Sequence, residues 1–252
     1  MAVTALTAVR GAIGFLSRLP VGHSEAGWDA FRRTPTAIPV VGYLLGAIIS
    51  LAVLVPGPEA SVAVALVAAV YLLTGVTHAD GVADVGDAAV VHGDAADRRE
   101  VLKDTVVGTG GVLAVVIVVL GLALAGVALA SLPLITAVGV VVTAEVGAKA
   151  AIAALVCVGV APHEGLGSAL TETAVPRDAV WVAAVTLPAV LLSWPHPWIG
   201  AAVLLAAGGV AVGFHRWANR RLDGVNGDVL GATNELARVA GLHAGVIAWT
   251  LS

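Results

Sequence analysis

The chain has 252 residues, of which 59% are apolar and only 12% are charged, and its mean hydropathy is +0.98. Soluble globular domains carry about 25% charged residues, so 13 basic and 17 acidic side chains are too few to keep a surface of this size in water. This composition excludes an ordinary cytosolic enzyme, a nucleic-acid-binding protein and a disordered protein. It predicts a multi-pass protein of the lipid bilayer.

The apolar segments predict helices, because only helices and closed barrels satisfy their backbone hydrogen bonds in lipid and these segments do not alternate in polarity. Residues 5–19 are too short and too basic to span easily, and they predict an interfacial amphipathic helix that ends at Pro20. The predicted crossings then follow at about 37–55, 60–78, 107–130, 134–158, 179–194, 198–215 and 229–250. We expect an all-α transmembrane helical bundle with about 6–7 crossings.

The basic residues indicate the orientation of this bundle, since they concentrate on the cytoplasmic side of membrane proteins. The N-terminal segment holds four arginines, and the loops at 80–104 and 215–228 hold three basic residues each. The short turns on the opposite side hold none. We expect a single integral membrane domain over 1–252, with 1–36 as a cytoplasmic or interfacial segment. The N-terminus and any active site then face the cytoplasm from the cell membrane.

Three carboxylates lie at helical spacing directly after the second predicted crossing. Asp80, Asp84 and Asp87 fall at i, i+4 and i+7, which places them on one face of a helix. Like charges at this spacing repel, and a divalent cation between them removes the repulsion. Carboxylate oxygens suit Mg²⁺ or Mn²⁺. The alternative is the solvated start of a helix, where carboxylates interact favourably with the helix dipole. We predict metal ligands at these three positions.

Other polar residues flank this acidic segment. For His78, the roles of metal ligand, base and phosphate-contacting group are open, beside a structural role. Lys103 precedes a glycine-rich helix start, where an ammonium group and backbone N–H groups hold phosphate; a snorkelling anchor is the alternative. Asp104 is a further candidate for the acidic metal site, contributed by the neighbouring helix.

A second polar segment lies near the C-terminus. Asp228 and Glu235 are seven residues apart and share a face if helical, with Asn234 and Arg238 beside them. The segment is too polar for a lipid-facing helix, so these groups must face the bundle interior or a wet cavity.

A third polar pair, Glu145 and Lys149, lies at i, i+4 inside another crossing, where the two side chains pair with each other. Taken together, two acidic segments and glycine-rich cytoplasmic entries in a membrane bundle favour a metal-assisted transferase that acts on phosphate esters. In such chemistry a cation bridges the pyrophosphate and offsets charge on the leaving phosphate.

At these residues the sequence resembles the cobalamin synthases, the adenosylcobinamide-GDP ribazoletransferases. The most specific element is His-x-Asp-Gly-x-x-Asp-x-x-Asp at 78–87, which precedes the Lys-Asp pair at 103–104. The resemblance runs through nearly the whole chain in the expected order. Its further elements are at 15–20, 39–42, 103–108, 164–167 and 224–232.

The resemblance implies a polytopic, Mg²⁺-dependent enzyme of the last steps of cobalamin biosynthesis. It joins α-ribazole, or its 5′-phosphate, to adenosylcobinamide-GDP, so that GMP leaves and adenosylcobalamin, or its phosphate, is formed. The predicted catalytic residues are His78, Lys103, Asp104 and Asp228, the predicted cofactor-binding residues are Arg18, Glu164, Gly227, Asn234 and Glu235, and the predicted metal ligands are Asp80, Asp84 and Asp87. A homo-oligomer and association with other cobalamin-assembly enzymes remain open.

Two alternative functions compete with this one. The acidic motif is also similar to that of the CDP-alcohol phosphotransferases, but the Ala-Arg pair of that family is missing, since Asp84 lies between Ala83 and Val85. A small transporter is the alternative from a different class. It should place acids near the midplane of several helices, whereas the acids here gather at cytoplasmic helix ends and no internal repeat is visible.

Overall fold

The computed structural model describes residues 2–104 and 106–252, without the side chains of residues 2–4. Within these ranges the protein forms twelve α-helices and two 3₁₀ segments, and no strand is present. The helices are α1 (Ala2–Leu16), α2 (Glu25–Arg32), α3 (Ala37–Ile49), α4 (Glu59–Thr74), α5 (Thr77–Val90), α6 (Ala95–Val101), α7 (Thr109–Ala130), α8 (Leu134–Val158), α9 (Leu166–Thr171), α10 (Asp178–Thr186), α11 (Pro197–Arg221) and α12 (Gly227–Thr250). The 3₁₀ segments Ser50–Leu54 and Leu187–Ser193 extend α3 and α10.

Four helical segments of the described ranges are long and apolar enough to cross a membrane. They are Ala37–Leu54, Thr109–Ala130, Leu134–Val158 and Pro197–Arg221. α4 and α5 make a fifth candidate only if they are taken together, because a bend of 99° separates them. The all-α bundle of membrane helices is thereby confirmed, while the count of about 6–7 crossings and the cytoplasmic N-terminus stay predictions.

Several predicted segments differ from the helices in the structure. The crossing predicted at 60–78 is wrong at its end, because α4 stops at Thr74 and Gly75 adopts a φ of 74°, a conformation that terminates helices. The segment predicted at 179–194 is a shorter apolar helix, Asp178–Ser193. α12 forms a helix where a crossing was predicted at 229–250, but it is not among the four apolar candidates.

α8 is the most deeply buried of the apolar helices. In its most apolar window 89% of the residues are buried, against 28% in α7 and in α11. Small residues let its neighbours approach: a Cβ atom on Gly42 or Gly46 of α3 would lie within 3.0 Å of a Cα atom of α8. Close packing of this kind holds membrane helices together where lipid removes the hydrophobic driving force. Polar side chains on α8 therefore have only other protein groups as partners.

α5 and α12 pack with their backbones in contact at one end of the bundle. A Cβ atom on Gly81 would lie 2.8 Å from the carbonyl oxygen of Asp228, and one on Gly231 would lie 3.2 Å from the Cα atom of His78. Side chains at these two glycines would force the helices apart. The contact joins the first turns of both helices, and with them the two acidic segments that the sequence places 140 or more residues apart.

Candidate active site between α5 and α12

A cavity of about 320 Å³ lies where the first turns of α5 and α12 meet. Its polar residues come from four segments: Thr74 from the end of α4, Thr77, His78 and Asp80 from α5, Asn226 and Asp228 from the start of α12, and His163 from the loop before α9. Its apolar wall is formed mainly by Phe15, Leu16, Ile152, Leu166, Leu170 and Leu230. A lining with both charged and apolar side chains suits a ligand that joins a charged group to an apolar body.

The predicted acidic residues of α5 occupy one helix, as their spacing predicts. Asp80 is exposed and lines the cavity, and Asp84 follows one turn later with intermediate exposure. The negative charges of Asp228, Asp80 and Asp87 all act on Asp84. The α5 and α12 carboxylates therefore create one concentrated negative field, which attracts a cation.

Asp87 has a different environment from the other two acids. Its buried carboxylate accepts hydrogen bonds from the backbone N–H of Gly108 at 2.7 Å and from that of Gly111 at 2.8 Å. These N–H groups belong to the start of α7, so Asp87 caps that helix and interacts favourably with its dipole. A Cβ atom on Gly108 would lie 2.5 Å from this carboxylate. The glycine-rich start of α7, a candidate phosphate site from the sequence, thus holds a carboxylate of the chain itself.

We expect Asp87→Asn to destabilise the protein by about 2 kcal/mol, because hydrogen bonds to a charged acceptor are lost from a buried site. Unfolding in detergent micelles measures this change. The affinity for Mn²⁺, followed by the electron paramagnetic resonance of the free ion, should stay as in the wild type. Asp94→Asn, at the exposed N-cap of α6, is the matched control and should cost less. A large loss of Mn²⁺ affinity in Asp87→Asn would identify Asp87 as a metal ligand.

The start of α12 holds Asp228 in the cavity. Asn226 is the N-cap residue: its Oδ1 accepts from the backbone N–H of Val229 at 3.0 Å, and its Nδ2 donates to Asp228 Oδ2 at 2.8 Å. Burial raises the pKa of Asp228, and the negative charge of Asp80 adds to the effect. A carboxylate with a raised pKa is a better proton acceptor near neutral pH. Gly227, between these residues, also lines the cavity, and its binding role stays a prediction.

Beside the cavity, α8 and α12 share a buried group of side chains that we call the polar network: Glu145, Lys149, Asn234, Glu235 and Arg238. Glu145 accepts from Lys149 Nζ at 3.2 Å and pairs with Arg238, whose Nη1 lies 2.6 Å from Glu235 Oε2. The predicted Glu145–Lys149 pair is confirmed. Asn234 and Glu235, predicted as cofactor-binding residues, lie in this network and not in the lining of the cavity.

Four other predicted residues are exposed and lie outside the described lining of the cavity. The side chain of Arg18 passes the bend between α4 and α5. Lys103 and Asp104 lie between α6 and α7, where Asp104 Oδ1 accepts from a nearby backbone N–H at 3.0 Å. Glu164 lies in the loop between α8 and α9. In this structure these residues do not join the acidic cavity.

Sequence reasoning assigned no role to three residues that shape the site. Asn226 has a local signal, since Asn directly before a helical segment is a common N-cap. His163 has no local signal in the sequence, and only the fold brings it into the lining of the cavity. Arg98 is buried and donates to the carbonyl oxygen of Ala88 at 2.6 Å, which satisfies the last turn of α5.

Within the described ranges, no three His, Cys, Asp or Glu side chains converge closely enough to hold a metal ion unaided. Mg²⁺ is usually bound by one or two protein carboxylates together with water and substrate phosphate groups. Asp80 in the cavity lining and Asp84, one turn further along α5 and outside that lining, offer carboxylate oxygens of this type, whereas both oxygens of Asp87 are engaged by α7. The donor set therefore fits a cation that is completed by a phosphorylated ligand.

A family model described as cobalamin-5-phosphate synthase matches residues 8–246. The chain belongs to this family. The match covers both acidic segments, the loop with His163 and the whole polar network, so every element of the site lies inside the matched residues.

Relatives similar over nearly their full length carry one enzyme name, adenosylcobinamide-GDP ribazoletransferase. The protein of Halorubrum lacusprofundi is 58% identical over 97% of this chain and 98% of its own. The protein of Haloquadratum walsbyi is 46% identical over 98% of this chain and 99% of its own. The protein of Ralstonia nicotianae is 33% identical over 96% of this chain and 95% of its own. No solved structure matches the chain. The resemblance noted in the sequence is confirmed.

Proposed function

We propose that this chain transfers the cobinamide-phosphate group of adenosylcobinamide-GDP to α-ribazole, or to its 5′-phosphate, and releases GMP. The observation that carries this proposal is the full-length similarity to relatives with that enzyme name. The cavity supports it independently: the acidic end suits a diphosphate held through a cation, and the apolar wall suits the aromatic base of α-ribazole.

The proposed reaction moves one phosphoryl group between two oxygen atoms. A hydroxyl oxygen of α-ribazole attacks the phosphorus bonded to cobinamide, one P–O bond forms, and the bond from that phosphorus to the bridging oxygen breaks. GMP leaves with the bridging oxygen and its electron pair. Asp228 lines the cavity and burial raises its pKa, which suits it to accept the hydroxyl proton. Positioning of the two substrates contributes much of the rate.

The proposed cofactor is Mg²⁺, held by Asp80 and Asp84 together with the diphosphate. Both residues are carboxylates one turn apart on α5, Asp80 lines the cavity, and hard oxygen donors are those that Mg²⁺ prefers. When bound, the ion would neutralise the negative charge of the diphosphate and the negative charge that develops on the leaving GMP. The roles predicted for Lys103, Asp104, Arg18 and Glu164 need a movement of exposed segments toward the cavity, and they stay predictions.

The proposed location is the cell membrane, with the active site on the cytoplasmic side. The apolar helices support insertion in a bilayer. The four arginines of residues 1–36 and the basic residues of the long loops support the orientation, because basic residues collect on the cytoplasmic face. The short turns of the other face are too small to hold an active site.

The test uses the purified protein in detergent with adenosylcobinamide-GDP, Mg²⁺ and either α-ribazole or its 5′-phosphate. We expect GMP release that requires the acceptor and stops when EDTA removes the metal ion. The ratio of kcat/KM for the two acceptors identifies the preferred one. If the wild-type protein releases no GMP under varied salt, detergent and divalent cations, the proposed reaction is wrong.

A further inference from the structure

The surroundings of His78 restrict how this residue can act. His78 lies in the first turn of α5, lines the cavity and has a side chain that is 15% exposed. We propose that Asn234 and Lys149 hold His78 as a neutral imidazole with its proton on Nε2, which donates a hydrogen bond to a phosphoryl oxygen. The contact with the phosphoryl group rests on the proposed function, whereas the position of the proton does not.

The first step is the orientation of the Asn234 amide, which its charged neighbours determine. Asn234 Oδ1 lies 2.8 Å from Lys149 Nζ, which only donates hydrogen bonds. Asn234 Nδ2 lies 3.0 Å from Glu235 Oε1, which as a carboxylate only accepts them. Rotating the amide by 180° would place oxygen against oxygen and N–H against ammonium. Lys149 and Glu235 therefore fix Nδ2 on the side of His78.

The second step concerns the proton of the imidazole. The remaining N–H of Asn234 Nδ2 points to His78 Nδ1, at 3.0 Å. An amide nitrogen has no acceptor capacity, so Nδ1 must accept and carries no proton. Glu235 Oε1, the nearest carboxylate oxygen, is 3.8 Å from Nδ1, too far for a hydrogen bond that would place a proton there. The neutral ring then carries its proton on Nε2.

This arrangement decides between the roles that the sequence left open. With its proton on Nε2 and its lone pair on Nδ1 engaged by Asn234, His78 has no free lone pair with which to bind a metal ion or accept a proton. Its Nε2–H is left for a ligand in the cavity. A donor held in place by the protein stabilises negative charge that develops on a phosphoryl oxygen. His78 then contacts the substrate, and Asn234 and Lys149 are positioning residues.

Nuclear magnetic resonance tests the position of the proton directly. The full-length protein, with ¹⁵N-labelled histidine in detergent micelles, should show Nδ1 of His78 as unprotonated and Nε2 as protonated. The signals are assigned by their absence in His78→Gln. Asn234→Asp replaces the donor with an acceptor of the same shape and should move the proton to Nδ1. A proton on Nδ1 in the wild type, or an unchanged pattern in Asn234→Asp, would overturn the proposal.

The activity of matched variants tests the donor role. His78→Gln keeps an N–H donor, and we expect its kcat to stay within about tenfold of the wild type. His78→Phe removes the donor and should lower kcat about 100- to 1000-fold, the usual loss for one such donor. His92→Phe, in an exposed loop, is the control and should retain full activity. Equal losses in His78→Gln and His78→Phe would show that His78 acts in another way.

The two measurements separate this inference from the proposed function. If the wild-type protein releases no GMP but His78 carries its proton on Nε2, the proposed reaction fails while the histidine state stands. If GMP is released and Nδ1 is protonated, the reaction stands and this inference is wrong.

Discussion

Asp84→Asn is expected to lower GMP release by about 1000-fold or more while the protein stays folded. Asp84 lies on α5 between the carboxylate that lines the cavity and the one that caps α7, and it feels the negative charge of Asp228. The amide has the same shape but binds Mg²⁺ poorly, and loss of the charge neutralisation that a metal supplies costs several kcal/mol in the transition state. Roughly 4 kcal/mol corresponds to a 1000-fold loss of rate.

Two comparisons make this result specific. Glu100→Gln removes one negative charge from an exposed position on α6 and should leave GMP release unchanged. The Asp84→Asn protein should unfold at the temperature of the wild type, because the exchanged carboxylate is only partly buried and the size of the side chain is kept. Undiminished GMP release in Asp84→Asn would remove this residue from the proposed metal site.

Glu145→Gln should be the most destabilising of the substitutions considered, at about 3–5 kcal/mol. Glu145 is fully buried and pairs with both Lys149 and Arg238, so its neutralisation leaves buried positive charge without its partner. Breaking a buried ion pair by removing one member costs this amount. Unfolding in mixed detergent micelles, followed by tryptophan fluorescence, gives the free energy.

The double variant Glu145→Gln with Lys149→Met supplies the control for Glu145. It removes one charge of each sign, and the pair between Arg238 and Glu235 remains. We expect it to recover at least half of the stability that the single substitution loses, because the network is again neutral. A Glu145→Gln protein as stable as the wild type would mean that the buried charges contribute nothing to folding.

Helices in lipid were predictable because continuous apolar segments allow few other structures. The predicted crossing at 134–158 coincides with α8, which begins after Pro133 and ends before Gly159. The crossing predicted at 60–78 was wrong only at its end, because the chain turns at Gly75 and only the backbone shows this turn. Hydropathy indicates which residues tolerate lipid, and it does not indicate where a helix bends.

The site was predictable where its chemistry depends on spacing along one helix. The spacing of Asp80, Asp84 and Asp87 predicts one shared face, and all three lie on α5. The role of Asp87 was not predictable, because its partners Gly108 and Gly111 belong to another helix, 21 and 24 residues further along the chain. The same limit applies to the polar network, whose α8 and α12 members meet only through packing.

The most direct test of the account is the stoichiometry of the wild-type reaction. Adenosylcobinamide-GDP, α-ribazole and Mg²⁺ are incubated with the purified protein, and GMP and adenosylcobalamin are quantified in the same sample. The account predicts that the two products form in a one-to-one ratio, only when α-ribazole is present. GMP formed without α-ribazole, or in excess over adenosylcobalamin, would show hydrolysis instead of transfer and would contradict it.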